Sequence, residues 1–213
     1  MDAARRRAGA NAAQRVTLVA ATKGVALDRI RGAIAACADL IGENRIQELV
    51  EKFGSWRPTV PCHFIGRLQR NKVRVALQWC EMIQSVDSLR LAEAIHQQSG
   101  GARRRVLVQV NLAGEATKAG FAPDDVAEAL TQMAQWDGVA VEGLMAVPPY
   151  AADPEAVRPY FRQLRALADR VNGITGISMA TLSMGMSHDF EVAIEEGSTM
   201  VRIGTALFGK RAD

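Results

Sequence analysis

Apolar and polar positions along the chain fall into short β-branched runs separated by longer stretches of helical spacing. A strand is predicted at Val16–Thr22, then a helix from about Leu27 to Ala38. The alternation repeats with strands at Leu40–Glu43, Cys62–Ile65 and Met82–Ser85, whose helices cover Ile46–Phe53, Asn71–Trp79 and Leu89–Gln98. Further strands fall at Val106–Asn111, Val141–Met145 and Ile177–Leu182, with helices over Asp124–Trp136, Pro154–Val171 and Asp189–Glu196. Met200–Ile203 is the eighth strand. Eight strands alternating with helices indicate the α/β class and one (β/α)8 TIM barrel over residues 1–213. The alternative is a doubly wound open sheet, but G-x-G-x-x-G is absent after strand one. Ala3–Gln14 reads as a short helix that covers the barrel bottom, and Lys210–Asp213 is too short for an ordinary final helix.

Composition narrows the class. The 213 residues are 48% hydrophobic and only 5% aromatic, which suits helices packed on a buried parallel sheet. A net charge of +3 is no nucleic-acid signature, and the runs Arg5-Arg6-Arg7 and Arg103-Arg104-Arg105 read as solvated surface. Cys37, Cys62 and Cys80 are odd in number and lack C-x-x-C spacing, so reduced thiols and a cytoplasmic location are expected. Cys62-His63 has no second clustered pair, so no metal site is expected. No apolar run reaches membrane-spanning length, and the basic, Ala-rich N-terminus lacks the apolar core of a secretory signal. A monomer is expected.

The candidate chemistry lies at the strand ends, which line the active face of such barrels. Lys23 closes an apolar strand, where an amine needs water, an anion or a covalent partner. Taken alone, it can snorkel to solvent from the rim. Asn44 can cap the next helix, line a pocket, or do both. His63 reads as a hydrogen-bonded core histidine or as a ligand contact. Arg202 lies in an apolar strand and needs an acceptor, either a ligand or a carboxylate such as Glu43. Ser183–Ser187, with Gly185 for a tight turn and Ser187 as an N-cap near Asp189, reads as a phosphate-binding turn. Gly204 and Thr205 add amides and a hydroxyl after strand eight, and barrels frequently bind phosphate after strands seven and eight. An ordinary turn with a capping serine remains the plain alternative. A strand-end lysine with a remote phosphate grip suggests a Schiff-base lysine holding pyridoxal phosphate.

Several segments carry a resemblance: LVAATKG (18–24), IGENRIQE (41–48), HFIGRLQRNK (63–72), VNLAGEATKAGF (110–121), GLMAVPP (143–149) and LSMGMSHDFEVAIEEGSTMVRIGTALFG (182–209). Over nearly its whole length the chain resembles the pyridoxal phosphate homeostasis proteins, which look like the barrel domain of alanine racemase standing alone. The resemblance implies a fold-type III barrel with pyridoxal 5'-phosphate bound covalently to Lys23. It implies that Ser183, Ser187, Gly204 and Thr205 hold the phosphate, that Arg202 faces the pyridine nitrogen, and that Asn44 lines the pocket. Lys118 matches a further family lysine. Two departures stand out: a short segment before strand one, and Val25 where many members carry a second lysine. The implied function is binding, buffering or delivery of the cofactor, with apo forms of enzymes that use it as possible recipients. The alternative is an amino-acid racemase. Racemisation needs proton carriers on both faces of the substrate, and the chain's only tyrosines, Tyr150 and Tyr160, sit at no strand end.

Overall fold

Leu18, Val19 and Ala20 are consecutive and all buried, so the first strand is covered on both faces. The computed structural model describes residues 1–9, 15–36, 38–54, 56–115, 117–173 and 176–209. In it β1 (Thr17–Ala21), β2 (Leu40–Glu43), β3 (Cys62–Phe64) and β4 (Met82–Val86) lead into β5 (Arg104–Val110), β6 (Val139–Ala146), β7 (Thr181–Met186) and β8 (Met200–Ile203). All neighbours are parallel, and β8 pairs back onto β1, closing the barrel. The expected eight-stranded fold is therefore the observed one. Helices α2 (Leu27–Ala36), α3 (Ile46–Phe53), α4 (Val73–Trp79), α5 (Leu89–Gln97), α6 (Val126–Met133), α7 (Arg158–Val171) and α8 (Phe190–Glu195) alternate with the strands.

Side-chain alternation sorts the core into two layers. Val19, Leu40 and Met200 form one cluster, and Met82, Leu107 and Met145 another; neither contains a helix residue, so both fill the barrel. The outward residues of the strands join the helices in a larger cluster that includes Ile41, Phe64, Ile83 and Val106.

Two sequence expectations need correction. The first helix, α1 (Asp2–Ala8), does not cover the barrel bottom; residues 10–14 of the predicted helix lie outside the described residues. Ala4 packs with Leu18, Ile194, Val201 and Ile203 on the outer flank of the β8–β1 seam. Arg7 ties α1 to Glu191 and Glu195 of α8. This flank needs a cover because the last helix, α9 (Thr205–Phe208), has only four residues. The second correction concerns the seventh strand, which runs over Thr181–Met186 rather than Ile177–Leu182. Ser183 pairs with Met145 on one side and Met200 on the other, so tertiary pairing overrides the turn-like composition. Gly185 makes this possible. Its φ of 94° accompanies a register shift between Ser183 and Met186, and an added Cβ would lie 2.6 Å from that of Ala193.

Candidate functional site: a cavity at the carboxyl ends of the strands

Lys23 follows β1 in a turn that α3 clamps from outside. Lys52 donates to the Thr22 carbonyl, and the Gly24 amide donates to the Glu48 carboxylate. Both neighbours of Lys23 are thus fixed, while its own half-buried amine has no partner among the described residues. The amine opens onto a cavity of about 450 Å³. Asn44 lines the cavity beside it, and Arg202 forms the floor. Ser187, Gly204 and Thr205 line another part, and Val25, Ile65, Val147, Met186 and Phe208 supply apolar walls. The titratable side chains in the lining are Lys23, His188 and Arg202, with no carboxylate among them.

Arg202 is buried and held by neutral acceptors. Its Nη1 donates to the Ser183 carbonyl at 2.7 Å and the Ser183 hydroxyl at 2.6 Å, and Nη2 donates to the Ala146 carbonyl at 2.9 Å. Burial lowers its pKa to about 10, with the field of Asp189 opposing the shift, so it remains a cation at neutral pH. Glu43 is not its partner. Strand alternation turns Gly42 and Asn44 inward and Glu43 outward, where it accepts from Thr22 Oγ1 at 2.5 Å and Lys52 at 3.0 Å. Burial raises the Glu43 pKa, although the bonds from Thr22 and Lys52 oppose the shift.

Below the cavity a chain of buried side chains crosses the barrel. The Ser183 hydroxyl donates to Gln84 Oε1 at 2.6 Å, and Gln84 Nε2 lies 2.9 Å from His63 Nδ1. Burial, and secondarily Arg105, lowers the His63 pKa to about 4, so the ring is neutral and accepts at Nδ1. His63 is therefore the hydrogen-bonded core histidine of the plain reading. Cys62 points to the other face, where its sulfur lies 3.9 Å from that of Cys80. Cys37 lies outside the described residues.

The predicted phosphate residues divide. Ser183 is fully buried and does not line the cavity; both ends of its hydroxyl are taken by Arg202 and Gln84. Ser187 does line it, yet it does not cap α8, whose N-cap is Asp189. Its hydroxyl instead accepts the amides of Gly204 at 3.0 Å and Ala206 at 3.2 Å, binding the β7 loop to the start of α9. Asn44 is freed for the cavity because Arg45 occupies the cap position of α3. Lys118 stands in the loop after β5, ion-paired with Glu115 at 2.9 Å, and does not reach the cavity. Sequence reasoning missed Gln84 and His188. A glutamine inside an apolar strand is itself a signal, since a buried amide requires partners. His188, beside the serine turn, carried none beyond its position.

A closed parallel barrel with a free lysine after its first strand and a buried arginine in its last defines a class of protein. The alanine racemase N-terminal domain model matches residues 1–212. A pyridoxal phosphate homeostasis protein of Aquifex aeolicus is 44% identical over 197 residues, spanning 91% of this chain and 86% of that one. One from Pseudomonas aeruginosa is 40% identical over 216 residues, spanning 98% and 92%. The structure of PipY from Synechococcus elongatus, with pyridoxal phosphate bound, superposes with a TM-score of 0.84 at 33% identity, covering 97% of this chain and all of that one. The chain belongs to the family of pyridoxal phosphate homeostasis proteins.

Proposed function

We propose that this protein binds pyridoxal 5'-phosphate at the strand-end cavity and serves to buffer or deliver it. The observation that carries the reading is the Lys23 amine, without a partner among the described residues, at a cavity whose described lining holds Arg202 and no carboxylate. An anion fits such a lining, and a lysine amine is the nucleophile an aldehyde requires. The bound cofactor would supply that aldehyde and an electron-withdrawing ring. Ser187, Gly204 and Thr205 are assigned to the phosphate, Asn44 to the cavity wall, and Arg202 to the side facing the ring nitrogen. Ser183 is assigned to fixing Arg202, not to direct phosphate contact. An arginine disfavours a proton on that nitrogen and so weakens the ring as an electron sink.

The enzyme reading needs a second proton carrier beside Lys23, and among the described residues the cavity lining offers only His188, whose Nε2 lies 3.0 Å from the Ala152 carbonyl. Tyr150 is 83% exposed and rests against His188, and Tyr160 lies in α7. The covalent bond to Lys23, the monomeric state, the cytoplasmic location and the absence of strong catalysis are parts of the proposal, each with its own assay. Borohydride reduction followed by peptide mapping should place a pyridoxyl group on Lys23, and Lys23→Ala should abolish the near-visible absorption band while retaining weak binding. Label on another lysine of the intact protein would refute the assignment. Enzymatic turnover in an assay of amino-acid α-hydrogen exchange, about 1 per second or faster, would replace the carrier with a racemase-like catalyst. Transfer to an apo-enzyme no faster than from free cofactor would separate buffering from delivery.

A further inference from the structure

A second concavity, of about 670 Å³, lies beside the first on the same barrel face. The loops after β2, β3 and β4 form it, and Asn44 lines both spaces. Gly66 lets two of these loops meet, since an added Cβ would lie 2.2 Å from the Asn44 carbonyl oxygen. Arg45, Arg67, Arg70, Lys72 and Arg90 converge on it, with Asp87 as the one carboxylate in the lining. Five cations against one anion leave a local charge of about +4. None of the five forms an ion pair among the described residues. Several arginines elsewhere are matched by carboxylates: Arg7 by Glu191 and Glu195, Arg105 by Glu142, Arg158 by Glu155, Glu195 and Glu196. Like charges around a depression repel one another, and a bound multivalent anion relieves that repulsion more than scattered counterions do.

Size and charge specify the anion. The volume lies within the roughly 300–1,000 Å³ of small-molecule sites. One phosphate monoester carries about −1.5 to −2, half of what the cleft can neutralise. Buried Phe64 and Leu91 add apolar surface to a lining that is otherwise mostly polar and cationic. We propose that this cleft binds a small molecule bearing two or more phosphate groups, apart from the cofactor cavity.

The test is calorimetric titration of the intact protein, loaded beforehand with pyridoxal phosphate so that the first cavity is filled, with inorganic tripolyphosphate and separately with inorganic phosphate. Tripolyphosphate should bind at one site, more tightly than phosphate and more weakly as salt rises. The double variant Arg67→Glu, Arg70→Glu should lose about a hundredfold in affinity, about tenfold for each charge-assisted hydrogen bond. Thr205→Glu, which places a negative charge in the other cavity, should leave this binding unchanged. Both altered arginines are exposed, and Arg67→Gln with Arg70→Gln supplies a milder pair showing the same direction. Four results would overturn the proposal: no saturable binding, equal affinity for phosphate, loss in Thr205→Glu but not in the arginine variants, or binding of a single-stranded oligonucleotide alone. Retention of pyridoxal phosphate by the arginine variants is read separately, so failure here leaves the cofactor reading intact.

Discussion

The two concavities on one barrel face use cations in opposite ways. Arg202 is 5% exposed and spends its donors on two backbone carbonyls and a hydroxyl. Arg67 and Arg70 are exposed, and their guanidinium groups have no hydrogen-bond or ion-pair partner among the described residues. A buried guanidinium cannot be left unmatched, because desolvation costs several kcal/mol that neutral acceptors must offset. An exposed one keeps its water and needs no partner. The first arrangement fixes one geometry that a ligand must accept. The second leaves solvated charges that a ligand can organise.

Mutations put that contrast at risk to different degrees. Arg202→Met should be the most damaging. It strands the Ser183 and Ala146 carbonyls, at about 1–3 kcal/mol for each unsatisfied group, measured by urea unfolding, while the Ser183 hydroxyl keeps its bond to Gln84. Next is pH. Unfolded, His63 titrates near 6.5; folded, it titrates near 4. The unfolded chain therefore binds more protons between those values, and stability falls as pH drops through that window, by at most roughly 3 kcal/mol. His63→Gln, which can still bond to Gln84, should flatten this part of the stability profile; an unchanged slope would mean another group titrates there. Ser183→Ala removes only the hydroxyl link between Gln84 and Arg202, so about 1–2 kcal/mol of stability should go, with a shifted cofactor spectrum and retained binding. Loss of binding in that variant would restore Ser183 as a direct phosphate ligand. Smallest of all, Arg67→Glu with Arg70→Glu should change stability by no more than about 0.5 kcal/mol per site.

The same contrast explains what the sequence made legible. The strands were readable because parallel strands buried on both faces leave continuous apolar runs, as in Val106, Leu107 and Val108. Lys23 and Arg202 stood out as charges within such runs. Ser183 misled because serine and glycine share the composition of a turn, and only pairing with Met145 and Met200 makes the segment a strand. Asn44 had two local roles open, and the cap at Arg45 decided between them. Runs of arginine drew the eye at residues 5–7 and 103–105, yet Arg7 and Arg105 are neutralised by carboxylates far away in sequence. The convergent cations come one or two to a loop, and no local pattern announces them.

The barrel closes where Thr17 of the first strand meets Met200 of the last. On a ribosome adding about 5–20 residues per second, the first strand waits on the order of ten seconds or longer for its second neighbour. Until then β1 pairs only with β2 and presents an unpaired edge to the crowded surroundings. The outward side of that edge, Leu18, is covered in the finished molecule by a cluster containing Ala4, Ile194 and Val201. Two of those three residues are also synthesised late, so the outer face of β1 acquires its cover only once β8 has been made.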